Sequence, residues 1–154
     1  MMERRIATRS ALLICLLAAA GPLRAQNGDL SLQGLGGGEL RESRFQQGAH
    51  VVVFWTSWSP RGRDIVSRVN EIAERWGEQA QVITVNFQED EADVRAFLRD
   101  QDRLRVPVFL DTDGALSKKY HVNSAPWLLV IKDGRTAFSE KLPQDPSVLA
   151  QVLQ

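Results

Sequence analysis

The residue types that most often carry chemistry are scarce in this chain, whose 154 residues include one cysteine, Cys15, and two histidines, His50 and His121. One thiol cannot close an intramolecular disulfide, and it cannot supply the second sulfur that dithiol exchange or a cysteine-rich metal site needs. Two histidines far apart in the sequence, with no cluster of His and Asp at ligand spacing, fall short of a zinc or copper site. We therefore expect no metal and no other cofactor.

A short acidic run, Glu89-Asp90-Glu91, precedes a predicted helix. Negative charge at a helix start offsets the helix dipole, and the run lacks the looped ligand pattern of a calcium site. We interpret these side chains as a solvated helix start.

Ser59 is the candidate nucleophile, because it precedes a predicted helix, where unpaired backbone N–H groups favour negative charge. A serine nucleophile needs a base within hydrogen-bond reach, and no motif links Ser59 to His50 or His121. A serine at this place also serves as an N-cap whose side chain accepts a backbone hydrogen bond, contributing about 1 kcal/mol. We therefore predict that Ser59 caps the helix and that the chain has no catalytic residue.

Arg61 and Arg63 flank Gly62 at the start of the same helix. Their guanidinium groups, together with backbone donors, could receive a carboxylate or another anion; the alternative is that both side chains are only solvated. The whole chain is balanced, with 19 basic and 19 acidic residues. Nucleic-acid binding rests on a concentrated field of Lys and Arg, so we exclude nucleic acid as a partner.

The N-terminus predicts a secretory signal peptide over residues 1–25. Arginines precede a ten-residue apolar run, residues 11–20, and Ala25 then offers a small residue for cleavage. Cleavage after Ala20 is the alternative. The run is about half of the roughly 20 residues that a membrane-spanning helix needs, so we expect membrane contact only if the segment stays uncleaved.

Cleavage would leave one domain, residues 26–154. Cys15 lies inside the apolar run and would leave with the signal, so the domain contains no cysteine. It contains 15 basic and 18 acidic residues, a net charge of −3, because the segment removed has four basic residues and one acidic residue. We expect this domain in the periplasm or outside the cell.

The elements that must position these residues alternate between strand and helix patterns. An all-apolar run at 51–55 predicts a strand buried on both faces, and Asp133-Gly134 between two strand patterns predicts a hairpin. The resulting class is α/β, with a central mixed sheet and helices on both faces. We predict strands at 30–32, 51–55, 82–87, 106–110, 127–132 and 135–140, and helices at 62–76, 91–100, 116–120 and 147–153.

Residues 54–63 read FWTSWSPRGR and resemble the active-site segment of thioredoxin-like proteins of the TlpA/ResA type, a thiol-disulfide oxidoreductase family in which this segment typically reads FWASWCPPCR. Further similar segments follow in the same order, and the resemblance covers residues 29–154. The resemblance implies a thioredoxin-like three-layer sandwich with the extra helix and strand of the TlpA/ResA type between Phe87 and Asp111. The further segments are VPVFLD at 106–111, DG at 113–114, KYHV at 119–122, AP at 125–126 and IKDG at 131–134.

The two family cysteines fall on Ser59 and Gly62. Thiol exchange requires a thiolate that attacks a disulfide sulfur, and neither residue supplies one. Two further positions depart from the family: Val53 stands where many relatives place Asp or Asn, and Ser67 stands where a helix proline is usual. The chain is therefore identified as a divergent member that is redox-inactive by itself.

The resemblance also implies a peptide-binding groove between two loops. The former active-site loop contributes Trp58, Ser59, Pro60, Arg61 and Gly62. The facing loop contributes Ala125, Trp127 and Pro126, which matches the family's cis-proline. Trp127 replaces a common Thr, and tryptophan is enriched at binding hot spots. We expect Trp58 and Trp127 to flank the groove; the alternative is that both pack against the loop and hold it shut.

Three functions follow as hypotheses. The first is a protein- or peptide-binding, chaperone-like or accessory module that takes an extended segment of another envelope protein beside Ser59, Pro126 and Trp127. The second is participation in a thiol-disulfide pathway that uses a partner's thiol. The third is a structural subunit of an envelope assembly.

Overall fold

The computed structural model describes residues 28–154. The predicted signal peptide, with both of its predicted cleavage points, lies outside the described residues. Within them, the chain folds in the order β1 (Ser31–Gly34), β2 (Glu39–Arg41), β3 (Ala49–Trp55), α1 (Ile65–Trp76), β4 (Gln81–Phe87), α2 (Glu91–Arg99), β5 (Val108–Asp111), α3 (Ala115–Lys119), β6 (Trp127–Lys132), β7 (Arg135–Lys141) and α4 (Ala150–Leu153). Short 3-10 helices occupy Glu42–Gln46, Pro60–Gly62 and Pro146–Leu149.

All seven strands form one sheet in the order β2-β1-β5-β4-β3-β6-β7. The three central strands, β5, β4 and β3, are parallel, and every other neighbouring pair is antiparallel. The sheet is therefore mixed, as the sequence predicts. The strands expected near residues 51–55, 82–87 and 127–132 are all present.

Alternation along β3 divides the core into two layers. Val51, Val53 and Trp55 pack against α1, α2 and α4, whereas Val52 and Phe54 pack on the opposite face, where α3 and the 3-10 helix Glu42–Gln46 lie. Helices α1 and α2 share a face because β3, β4 and β5 step across the sheet in one direction, and right-handed crossovers then place both helices on one side. The predicted three-layer sandwich is confirmed.

The buried stripe of α1 has the predicted spacing. Ile65, Val69, Ile72 and Trp76 are all buried, each three or four residues after the previous one. The indole Nε1 of Trp76 donates a hydrogen bond to the Pro146 carbonyl at 3.1 Å. This bond joins the end of α1 to the C-terminal segment.

The structure differs from the predicted elements in three places. Strand β2 was not expected, because its three residues carry one apolar side chain, Leu40, which is too short a pattern for periodicity to detect. Helix α1 begins at Ile65 rather than residue 62, since the preceding Pro60–Gly62 forms a separate 3-10 turn. The last predicted helix is a 3-10 turn followed by the short α4.

Within residues 28–154, none of the helices combines the length and the apolar character needed to cross a bilayer.

Candidate functional site

Three connections meet at one edge of the sheet. Trp55 at the end of β3 pairs with Asn86 of β4, and Phe54 pairs with Trp127 at the start of the antiparallel β6. The loop after β3, the turn after β4 and the loop before β6 therefore lie together at the carboxyl ends of the parallel strands. This is the edge at which open α/β sheets usually bind ligands.

Ser59 joins two of these connections. Its side chain is buried, with 7% of the residue exposed, and its Oγ donates a hydrogen bond to the Ala125 carbonyl at 3.2 Å. Ser59 occupies the N-cap position of the 3-10 turn, but its side chain accepts no capping hydrogen bond. The predicted side-chain cap is therefore wrong, because the hydroxyl is turned toward Ala125, while the Gly62 N–H bonds to the backbone oxygen of Ser59 at 2.9 Å.

The loop before β6 contains the residues that the resemblance assigned to a groove. The peptide bond between Ala125 and Pro126 is cis. Pro126 is buried, and its carbonyl accepts a hydrogen bond from the Leu142 N–H at 3.1 Å. The loop is thereby fastened to Ser59 on one side and to the end of β7 on the other.

Gly62 stands where the resemblance places the second family cysteine. A Cβ built on Gly62 would lie 3.8 Å from the Ser59 Cβ and 3.3 Å from the Thr56 carbonyl oxygen. The Cβ atoms of a disulfide are usually about 3.5–4.5 Å apart. Positions 59 and 62 therefore keep the separation that a disulfide needs, although neither residue carries sulfur.

Glu89 is a site residue that the sequence did not indicate. It is only 9% exposed, so its interpretation as part of a solvated helix start is wrong. Its carboxylate accepts hydrogen bonds from the Ser57 N–H at 2.7 Å, from the Ser57 hydroxyl and from the Asn86 side-chain amide at 2.6 Å. Glu89 thus fixes the start of the loop that leads to Ser59, because it lies directly after β4, whose end adjoins that loop.

A cleft of about 460 Å³ opens beside this junction. One wall is the loop before β6, with Ser124, Ala125 and Pro126, and the opposite wall is the stretch from Pro60 to Asp64. Arg68 of α1 also lines the cleft, as do Lys141, Leu142 and Gln144 at the end of β7 and just after it. The former active-site loop and the facing loop therefore do form a common concave surface.

The two tryptophans are not part of its lining, which differs from the expectation that both flank the groove. Trp58 is 69% exposed. Trp127 is half-buried on the sheet face opposite α1, where its Nε1 donates a hydrogen bond to Ser139 Oγ at 3.0 Å. Strand alternation explains the position of Trp127, since the cleft lies on the α1 side of the sheet and Trp127 points to the other side.

Neither histidine is brought to Ser59. His50 lies in the first half of β3 and pairs with Ile131 near the end of β6, so it belongs to the opposite edge of the sheet. His121 is exposed, after α3. Over residues 28–154, no three His, Cys, Asp or Glu side chains are grouped so that they could hold a metal ion.

The sequence pattern of the AhpC/TSA family matches residues 24–138 of the chain. No curated protein matches the chain in sequence. The chain is similar to the exposed lipoprotein thioredoxin Etrx1 of Streptococcus pneumoniae, with 26% identity and a TM-score of 0.71 over 82% of this chain and 98% of that one.

Two further solved structures show the same fold at lower identity. A putative thiol:disulfide interchange protein DsbE from Chlorobium tepidum has 24% identity and a TM-score of 0.69, covering 80% of this chain and 89% of its own. StoA from Bacillus subtilis has 20% identity and a TM-score of 0.68, covering 82% of this chain and 97% of its own. With a family match over most of its length and these structural neighbours, the chain belongs to the AhpC/TSA family and has the thioredoxin-like fold.

Proposed function

We propose that the protein binds an extended segment of another envelope protein in the cleft beside Ala125 and Pro126, and that it does so without disulfide exchange. The observation that carries the proposal is the pair Ser59 and Gly62. These residues retain the backbone geometry of a dithiol site but bring no sulfur to it, while the cleft next to them is open.

The backbone beside the cleft supports binding of an extended chain. Within residues 28–154, the Ala125 N–H has no hydrogen-bond partner, and the Ala125 carbonyl is used only by Ser59. A carbonyl oxygen has two lone pairs, so Ala125 offers one donor and one further acceptor. Backbone hydrogen bonds of this kind give affinity to an added extended segment whatever its side chains.

The N-terminal sequence and one structural relative support a location outside the cytoplasm. The chain begins with a basic segment and an apolar run of signal-peptide length. The similar Etrx1 protein is described as an exposed lipoprotein. We propose that this chain is periplasmic or secreted, where extended segments of unfolded or partly assembled proteins occur.

Peptide binding with the cleft blocked tests the proposal. Gln144 is exposed and lines the cleft, so Gln144→Trp places an indole in it without changing the core. Gln79→Trp is the matched control, because Gln79 is exposed in the turn before β4, at the opposite edge of the sheet. Short peptides of varied composition are titrated against the purified protein and both variants.

We expect Gln144→Trp to lose binding and Gln79→Trp to retain it. Binding that is unchanged in both variants would contradict the proposal and favour a structural subunit that uses another face.

A second experiment tests disulfide exchange. The unchanged protein is incubated with a disulfide-bonded substrate and no added thiol. Reduction of that substrate would contradict the absence of exchange, and a partner thiol that restores reduction would favour the thiol-disulfide pathway.

A further inference from the structure

The cleft beside Pro126 has a charge opposite to that of the domain around it. Four basic side chains line it, Arg61, Arg63, Arg68 and Lys141, against one acidic side chain, Asp64. Residues 26–154 have 15 basic and 18 acidic side chains, a net charge of −3. The positive charge is therefore concentrated where the proposed segment would lie.

One of the four basic groups already has its partners. The Nη2 of Arg68 donates to the carbonyls of Leu142 at 3.0 Å and Pro143 at 2.8 Å, and its Nη1 lies 3.8 Å from the Asp64 carboxylate. Arg68 therefore builds the wall between α1 and the end of β7. Asp64, the single acidic residue of the cleft, is therefore paired with Arg68.

The other three basic groups have no such partners. Arg61, Arg63 and Lys141 are exposed, and none of them forms an ion pair with another residue of the described range 28–154. They come from two different segments, one before α1 and one at the end of β7. Three unpaired cations that converge on one concavity repel each other and attract an anion.

A hydroxyl in the same cleft also has no partner. Ser124 lines the cleft, and its Oγ is buried without a hydrogen bond among residues 28–154. Buried polar atoms are nearly always hydrogen-bonded in proteins, and rotation of this hydroxyl toward the cleft would let a bound ligand atom complete the bond. The hydroxyl can donate a hydrogen bond to a carboxylate oxygen.

We infer that the segment bound beside Pro126 is acidic and that its carboxylates are held by Arg61, Arg63 and Lys141, with the Ser124 hydroxyl as a further donor. This inference rests on the proposed binding function and names the chemistry of the bound segment. The carboxylates have two sources, Asp and Glu side chains or a free C-terminus. Guanidinium groups suit both, because they form paired hydrogen bonds with a carboxylate.

The test uses the purified protein and four peptides of equal length. Three have blocked ends and alternate Ala with Asp, Asn or Lys; the fourth alternates Ala with Asn and keeps a free C-terminal carboxylate. Binding is measured by isothermal titration at low and at raised salt. We expect the Asp peptide to bind more tightly than the Asn and Lys peptides, and its affinity to fall with salt, as screening requires.

Charge removal identifies the groups that bind. We expect Arg61→Gln with Arg63→Gln to weaken binding of the Asp peptide by roughly tenfold, as the loss of two partly exposed ion pairs implies. The matched control is Arg99→Gln with Arg135→Gln, which removes the same charge from the end of α2 and from the start of β7. The control variant should bind the Asp peptide as the unchanged protein does.

The outcomes separate the two proposals. Equal binding of the blocked Asp and Asn peptides would overturn the acidic preference and leave peptide binding intact. An equal loss in both double variants would also overturn it, since net charge alone would then account for binding. Failure of every peptide to bind would overturn both proposals. Binding of the free-carboxylate peptide as tightly as the blocked Asp peptide would support the inference with a C-terminus as the source.

Discussion

Ser59 and Gly62 stand at the separation of a disulfide-bonded pair, although neither carries sulfur. The backbone around them forms a 3-10 turn that leads into α1, and the turn already brings the two positions to the Cβ separation of a disulfide. The Thr56 carbonyl, 3.3 Å from a Cβ at position 62, is the one close neighbour. An added Cβ needs that carbonyl to move by only a few tenths of an ångström.

Ser59→Cys combined with Gly62→Cys should therefore form a disulfide under oxidising conditions and gain measurable disulfide-exchange activity. Arg61 and Arg63, close to position 59 in the sequence, favour the thiolate there, because neighbouring cations stabilise its negative charge. Thiol titration before and after reduction detects the bond, and reduction of a disulfide-bonded substrate detects the activity.

Each single cysteine variant is the control, since one thiol cannot close the bond. The variants are made in a chain in which Cys15 is replaced by Ala, so that no other sulfur contributes. A folded double variant whose thiols both stay free under oxidising conditions would contradict the alignment of Ser59 and Gly62 with the family cysteines.

His50 lies at the opposite end of the strands from Ser59 and makes the stability of the domain depend on pH. It is 4% exposed, it packs edge-on against Phe45 at 5.2 Å, and its Nδ1 has no partner within residues 28–154. Burial lowers the pKa of His50 below 6.5, and the nearby Arg44 lowers it further. The neutral imidazole is therefore the form that fits the folded state.

The free energy of unfolding should fall as the pH drops from 6.5 to the lowered pKa of His50. In that range the unfolded chain binds the proton and the folded chain does not, so acid favours unfolding. The loss is about 1.4 kcal/mol for each unit by which the pKa is lowered. Urea unfolding across this range should show the slope in the unchanged protein and in His121→Gln, whose imidazole is exposed, and a smaller slope in His50→Gln.

At the scale of single residues, the sequence predicted that the loops of Ser59 and Pro126 lie side by side, as they do, but not how their atoms bond. The positions of Ser59 and Pro126 followed from ordered motifs. The hydrogen-bond partner of Ser59 was not predicted, because Ala125 is 66 residues away in the chain and a capping rule considers only residues close in sequence. Glu89 was hidden in an acidic run, and its position directly after a buried strand was the one signal that separated it from Glu91.

The elements were predicted where their patterns were long. Strands β3, β4 and β6 and helix α1 have six or more residues with a continuous apolar run, alternation or helical spacing. Of the hairpin formed by β1 and β2, only the first strand was predicted, because β2 is short. Its Leu40 is 2% exposed and pairs with Leu32, so tertiary packing rather than local pattern makes it a strand.

The turn of this hairpin supplies a test at the scale of an element. A Cβ on Gly34 would collide with the Gly37 carbonyl oxygen, whereas a Cβ on Gly36 would meet nothing within 4 Å. Because the obstacle is backbone, it cannot rotate away. Gly34→Ala should lower the free energy of unfolding by roughly 1–3 kcal/mol, measured by urea titration.

Gly36→Ala is the matched control and should change that free energy by no more than about 0.5 kcal/mol. Equal effects of the two substitutions would contradict the close approach of Gly34 and Gly37. The comparison isolates the turn, because the two glycines lie two residues apart and receive the same methyl group.

The whole molecule is predicted to act outside the cytoplasm, and residues 1–25 carry that prediction. Fused to an alkaline phosphatase that lacks its own signal, they should give enzyme activity, since this reporter needs disulfides that form only in an oxidising compartment. Replacing Leu12 and Leu16 by Arg breaks the apolar run and should abolish the activity. The protein recovered from the cell envelope should begin at Gln26, or at Gly21 if cleavage follows Ala20.

The hydrogen bond from Ser59 to Ala125 joins the former active-site loop to the loop before β6. A hydroxyl–carbonyl bond has no oxidised and reduced forms, so the shape of this edge does not follow the reduction potential of the compartment. A segment bound there in the proposed way is not captured covalently, because neither Ser59 nor Gly62 carries sulfur. Its occupancy obeys mass action, its residence time is set by the dissociation rate alone, and simple dilution releases it.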